Sequence, residues 1–218
     1  MRVSRRQVIA GAAATAGAAA NVSGCKPEDG DSAEAAADVA SIAHIIVVMM
    51  ETRSFNHMLG SLTHVEGRTE VDGVTSTMSN AASEGNPVSP YPNNVDCVSD
   101  LGHSWGNSRL QWNEGANDGF VVNYNGPEPM QYMVRSDLPI LYALADNYAV
   151  CDKYFCSVMG PTWPNRFYAH CGTSLGMPGN DFPPEGSYVI PNIWERLTEK
   201  GVDWGYYYSD LPFVFLID

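Results

Sequence analysis

Two turns in this sequence set an oxygen-bearing side chain between an apolar run and a helix-forming stretch. Glu51 closes the run His44-Ile45-Ile46-Val47-Val48-Met49-Met50, and Thr162 sits in Gly160-Pro161-Thr162-Trp163-Pro164 after the segment Tyr148 to Met159. Open α/β sheets gather ligands at the carboxyl ends of their strands, where a carboxylate can hold a divalent cation. A hydroxyl on such a turn can attack phosphorus if a metal lowers its pKa. Unpaired N–H groups at a helix start favour bound phosphate. Each residue also has a purely structural role open to it. Glu51 would serve as a carboxylate at the start of the next helix, and Thr162 as a turn hydroxyl satisfying nearby backbone. Taken singly, those structural roles fit better.

The elements that must position these residues follow from pattern. The run 44–50 is continuous, apolar and rich in β-branched residues, as suits a central parallel strand buried on both faces. Residues 53–62 read as a short helix. Between 63 and 118 Gly, Pro, Asn and Ser dominate without a period, which suggests an irregular excursion over the active-site face. Leu138 to Ala145 reads as a helix and Tyr148 to Met159 as a second strand. Pro164 suits the first position of a helix running to about Cys171, because its missing N–H costs nothing there. Ile193 to Lys200 reads as a helix stopped by Gly201, followed by a strand over Val202 to Tyr208. The run 212–218 looks like a strand cut off in mid-fold. Strands alternating with helices indicate an α/β sandwich around a mostly parallel sheet.

The chain has 218 residues and a net charge of −13. That charge argues against nucleic acid as a partner, since such binding rests on Lys and Arg neutralising phosphates. A phosphate-bearing substrate must instead be held locally, by a metal or by oriented dipoles. Ser4-Arg5-Arg6-Gln7-Val8-Ile9 is a twin-arginine pattern followed by an Ala-rich apolar run to Ala20, too short to span a membrane. Val22-Ser23-Gly24-Cys25 resembles a lipobox, whose cysteine would be lipidated and attach the chain to a membrane. Residues 1–24 are thus expected to be an export signal handled by the twin-arginine machinery. The product would be periplasmic, envelope-anchored or secreted. Residues 25–41 read as a disordered tether. Cys97, Cys151, Cys156 and Cys171 remain. They allow three pairings, with free buried thiols slightly favoured over disulfides.

Across 42–218 the sequence resembles the bacterial phospholipase C and acid phosphatase family, within the alkaline-phosphatase-like group. The resemblance is carried by Ile42 through Gly60, by His103-Ser104-Trp105 and Asn117-Asp118-Gly119-Phe120, and by Ala143-Leu144-Ala145-Asp146. It continues over Val150 through Arg166, Gly172-Thr173-Ser174 and Ile193-Trp194-Glu195-Arg196-Leu197. It implies an α/β, alkaline-phosphatase-like three-layer sandwich of which 42–218 is the N-terminal part. It also implies a metal-dependent hydrolase of phosphate esters, acting on a phospholipid or a phosphomonoester. By that resemblance Glu51 ligates a divalent metal (Ca, Zn, Mn or Mg), with Thr52 beside it. Thr162 becomes the nucleophile, His103 a charge-stabilising or proton-donating group, and Asn165 and Arg166 the residues that shape the turn and position phosphate.

Three departures accompany the match. Thr52 stands where the family has asparagine, keeping an oxygen but losing the amide's reach and its N–H. Asn56 replaces an aspartate. The family's later Asp/His-rich motif, which supplies further ligands, has no counterpart after residue 166. The competing expectation is therefore a truncated, catalytically inactive exported lipoprotein of the same family.

Overall fold

A computed structural model of the chain describes residues 2–4, 42–50, 53–95, 97–182, 189–209 and 212–217. Glu51 and Thr52, the tether and nearly all of the export segment, Cys25 included, lie outside the described residues.

In chain order the elements are β1 (Arg2–Ser4), α1 (Phe55–Leu59), α2 (Ser61–His64), β2 (Tyr91–Pro92), α3 (Trp105–Trp112), α4 (Phe120–Tyr124), β3 (Gln131–Tyr132), α5 (Pro139–Asn147), α6 (Thr162–Cys171), α7 (Ile193–Glu199) and β4 (Gly205–Tyr207). Single 3₁₀ turns lie at Asn113–Gly115, Glu128–Met130 and Phe213–Leu216. β2 pairs with β3 in parallel and β1 with β4 antiparallel. Helices and strands are mixed along the chain and one pairing is parallel, so the α/β class expected from the sequence holds.

Two expected strands are not found. Residues 42–50 and 148–159 are irregular, and neither has a strand partner among the described residues. Apolar β-branched composition makes a strand only when a neighbour supplies the ladder hydrogen bonds. The run 212–217 also differs: it forms a 3₁₀ turn whose Phe213 and Val214 are buried. The expected strand over 202–208 shortens to β4.

The helices follow their stripes and caps. In α5 Pro139 opens the helix, and Leu138, Tyr142 and Ala145 pack with Leu62 and Val71 in one apolar cluster. In α6 the inward stripe is Pro164, Phe167 and His170, and Phe167 packs on Phe213 and Ile217 in a second cluster. This helix starts two residues earlier than expected, so Pro164 takes its third position; the first turn has no intrahelical use for that N–H, and proline remains tolerated. Gly172, at φ +74°, ends the helix in the left-handed conformation glycine accepts most readily. The helix expected over 53–62 is broken at Gly60 into α1 and α2. Arg135 joins the first cluster from outside, donating to Glu66 at 2.9 Å and to Asp146 at 2.6 Å. That guanidinium holds the Asp146 carboxyl below the usual carboxylate range.

The irregular excursion is tied by side chains. Buried Asn80 exchanges backbone hydrogen bonds with Val88, donates from Nδ2 to the Asn117 carbonyl at 3.2 Å and accepts the Phe120 N–H at 2.9 Å. Cys97, Cys151 and Cys156 are exposed and Cys171 is half-buried, all with free thiols. The expected burial therefore applies to Cys171 alone, whose pKa burial raises to about 11, with Glu195 adding to the effect.

Candidate functional site

Thr162 is the first residue of α6, and Pro161 before it is extended with no side chain to cap the helix. The turn leading there is built by Asn165, one helical turn further on. Its Oδ1 accepts the Val158 N–H at 2.9 Å, and its Nδ2 donates to the carbonyls of Val158 at 2.9 Å and Pro161 at 3.0 Å. The turn-shaping half of the role expected for Asn165 is thus visible. Its amide is engaged with backbone, so it makes no direct phosphate ligand in this arrangement. The Thr162 hydroxyl makes no hydrogen bond among the described residues.

His103 approaches from the other side, in the loop before α3. Its Nδ1 lies 2.8 Å from the Leu101 carbonyl and 3.3 Å from Asp100 Oδ1. A carbonyl can only accept, so Nδ1 carries the proton and Nε2 holds the lone pair in the neutral ring. Asp100 offers the imidazolium a counter-charge. Neighbours fix the loop: Gln111 donates from its side chain to the Gly102 carbonyl, and a Cβ on Gly102 would lie 2.2 Å from Asn107 Nδ2. A side chain there would have to displace the Asn107 amide. Ser104 caps α3 by accepting the Asn107 N–H at 3.2 Å.

Both pieces meet at an open hollow of about 420 Å³ lined by Asp100, His103, Trp105, Pro161 and Asn180 among others. Arg109 fastens them together, donating to the Met159 carbonyl at 2.7 Å and to the Trp105 carbonyl at 3.0 Å, its guanidinium over the Trp105 ring. Asn180 Oδ1 accepts the Trp163 N–H at 2.9 Å. An amide oxygen thus sits at the second N–H of α6, where a helix start would receive an anion.

The structure therefore brings together His103 and the turn carrying Thr162. It sends Arg166 elsewhere: Nη1 is 3.4 Å from the Tyr206 hydroxyl, and the guanidinium lies 5.8 Å from the Phe213 ring centre. Arg109, Asn180 and Gln111 were not among the residues expected from sequence. The motif match at His103-Ser104-Trp105 marked this region, but the helix that follows sits inside a stretch without periodicity and was not expected.

Glu51 and Thr52, the expected metal ligands, lie outside the described residues. Among those that are described, no three His, Cys, Asp or Glu side chains stand together as a ligand group. No described helix is long and apolar enough to cross a membrane.

Comparison with known proteins adds the lineage. The pattern of the phosphoesterase family matches residues 42–215. Phospholipase C B of Mycobacterium tuberculosis is 34% identical over 249 residues, covering 96% of this chain and 47% of that protein. Hemolytic phospholipase C of Pseudomonas aeruginosa is 32% identical over 78% of this chain and 26% of its own length. Non-specific phospholipase C1 of Arabidopsis thaliana is 35% identical over 80% of this chain and 36% of its own. The chain spans about half the length of the relatives it matches, or less. With the family pattern running through both turns and the His103 loop, the chain belongs to the phosphoesterase family.

Proposed function

We propose that the chain carries the nucleophile side of a phosphate-ester hydrolase site, acting on a phospholipid or a phosphomonoester. The observation that supports this best is the Thr162 hydroxyl at the start of α6, without a hydrogen-bond partner among the described residues and beside the hollow that His103 lines. The Thr162 hydroxyl gives up its proton to solvent as its oxygen attacks phosphorus, the bond to the leaving oxygen breaks, and that oxygen takes a proton. His103, when charged, donates from Nε2 while Asp100 and the Leu101 carbonyl hold Nδ1. Water then attacks the phosphothreonine and releases phosphate or a phosphorylated headgroup. A divalent ion held in part by Glu51, with Thr52 beside it, would lower the hydroxyl pKa and neutralise phosphoryl charge. Asn180 withdraws from the Trp163 N–H as a phosphate oxygen takes its place.

The test is turnover of p-nitrophenyl phosphate and p-nitrophenyl phosphorylcholine with added Mn²⁺, Ca²⁺ or Zn²⁺. Thr162→Ala should lower it by about 1,000-fold or more; retained activity would sink the nucleophile assignment. A second reading, an inactive exported lipoprotein, is motivated by the departures from the family motif at Thr52 and Asn56. No turnover in the unaltered chain supports it.

Export through the twin-arginine route, with lipidation at Cys25, completes the proposal. Replacing Arg5 and Arg6 with Lys should leave the protein in the cytoplasm, as fractionation would show. Unchanged export would exclude that route.

A further inference from the structure

β1 and β4 form a two-stranded antiparallel sheet, with Arg2 opposite Tyr207, Val3 opposite Tyr206 and Ser4 opposite Gly205. β4 is fixed to the domain through Tyr206. Its ring lies 5.6 Å from that of Trp194 and 6.1 Å from that of His170, and its hydroxyl is 3.4 Å from Arg166 Nη1. β1 lies in the segment read as an export signal, and its last residue opens the twin-arginine pattern Ser4-Arg5-Arg6.

A strand edge offers its N–H and C=O groups to any extended segment, and β4 has no other strand partner among the described residues. Attachment and charge single out residues 2–4 as its occupant. They belong to the same chain, so the pairing is intramolecular and needs no second molecule at high concentration. Residues 1–24 carry Arg2, Arg5 and Arg6 and no acid, which leaves 9 basic and 25 acidic residues, a net −16, in the remainder. Opposite charges draw the two together. A two-stranded ladder of this length is marginal in water, so docked and open forms exchange.

We propose that β4 is a docking edge for the chain's own export signal, and that this pairing holds the signal back from the export machinery. Arg5 follows Ser4 directly, one Cα step of about 3.8 Å. A docked β1 therefore keeps the twin arginines beside the folded domain, where a receptor competes with β4 for the same segment. Recognition draws on the open fraction alone, and apparent affinity falls by that fraction. Tyr206 packs against the cluster of Phe167, Phe213 and Ile217, so the edge exists only once that cluster has formed. The hold thus acts on folded chains. The masking rests on the proposed twin-arginine route; the docking does not.

The experiment uses the full chain, purified from cytoplasm with residues 1–24 in place, beside the variant Arg2→Pro with Val3→Pro. Successive residues of an antiparallel pair alternate between hydrogen-bonded and non-hydrogen-bonded positions. One of the two prolines therefore removes a ladder N–H, while Ser4-Arg5-Arg6 is untouched. Both changes lie outside the 42–215 family match, so the domain keeps its fold. Ladder amides within 205–207 should exchange about fivefold more slowly in the unaltered chain than in the variant. In pulse–chase the variant should be exported up to about fivefold faster, the inverse of the open fraction. With residues 1–24 fused to a carrier that lacks β4, the same changes should leave the export rate unaltered. Equal exchange over 205–207 in both chains, or protection that rises with protein concentration, would overturn the docking. Lost protection without faster export, or an equal gain on the carrier, would overturn the masking. If Arg5→Lys with Arg6→Lys leaves export unchanged, the masking falls with the route, and exchange over 205–207 still decides the docking.

Discussion

Arg109 Nη1 donates to the carbonyl of Met159 at 2.7 Å, locking the helix that follows His103 to the turn that delivers Thr162. Fifty residues of sequence separate the two partners, and the second carbonyl on the same nitrogen belongs to Trp105. Both N–H bonds of Nη1 are thereby used, and the planar guanidinium holds them in fixed directions over the Trp105 ring.

If that link sets the spacing between His103 and Thr162, Arg109→Ala should lower kcat/KM by about 10- to 100-fold, because small misplacements of reacting groups are costly. Its melting temperature should fall by only a few degrees, since the contact is exposed. Arg109→Lys should lie between the two proteins. Equal kcat/KM in all three would remove the positioning role.

Asn165 gives a contrasting expectation, in stability. Asn165→Ala leaves the Val158 N–H and three carbonyl contacts without their partner, a loss of about 2 kcal/mol. Asn165→Asp should be no better, because its second oxygen would face carbonyl oxygens where Nδ2 donated. Chemical denaturation of the variants measures this; an unaltered midpoint would return Asn165 to a role in phosphate binding alone.

Asn180 competes with anions for the Trp163 N–H. Asn180→Ala should therefore tighten inhibition by phosphate or vanadate by about fivefold, the worth of one net hydrogen bond. Calorimetric titration would register it. Weaker binding would mean that Asn180 contacts the anion directly.

His170 should make the fold acid-sensitive. Burial, and then the Arg166 charge, lower its pKa from 6.5 to about 4, and it sits among Trp194, Tyr206 and Phe213. The unfolded chain binds this proton more tightly, so stability falls as pH drops from about 6.5 towards 4 and levels off below. The loss should reach up to about 3 kcal/mol. Burial, with help from Arg53, lowers the His57 pKa too, which adds loss of the same sign. Melting temperatures between pH 4 and 7 should show a flatter profile for His170→Phe. An identical slope would assign the effect to other groups.

Helices with local signals were legible in the sequence. α5, α6 and α7 carry an opening proline, an inward stripe or a stop glycine, and their observed bounds fall within two residues of expectation. α3 was missed because Trp105, Leu110 and Trp112 form no apolar face; its cap at Ser104 was the single cue. The runs 42–50 and 148–159 failed for a different reason, since a strand is a property of its neighbours as much as of its own residues. Within the site, Thr162 and His103 were readable as types at motif positions. Arg109 and Asn180 act across 50 and 17 residues of sequence, and no local pattern announces such contacts.

The Asn80 knot has a consequence in chain entropy. By holding the 117–120 backbone it closes a loop of 37 to 40 residues, and its exchange with Val88 pinches off a much shorter one inside. Closure cost rises only with the logarithm of loop length, about 0.6 kcal/mol per doubling. A few residues inserted between Ala81 and Pro87 should thus cost a few tenths of a kcal/mol, whereas losing the Asn80 amide would remove both ties to the 117–120 backbone at once. Length can drift in this excursion while position 80 cannot.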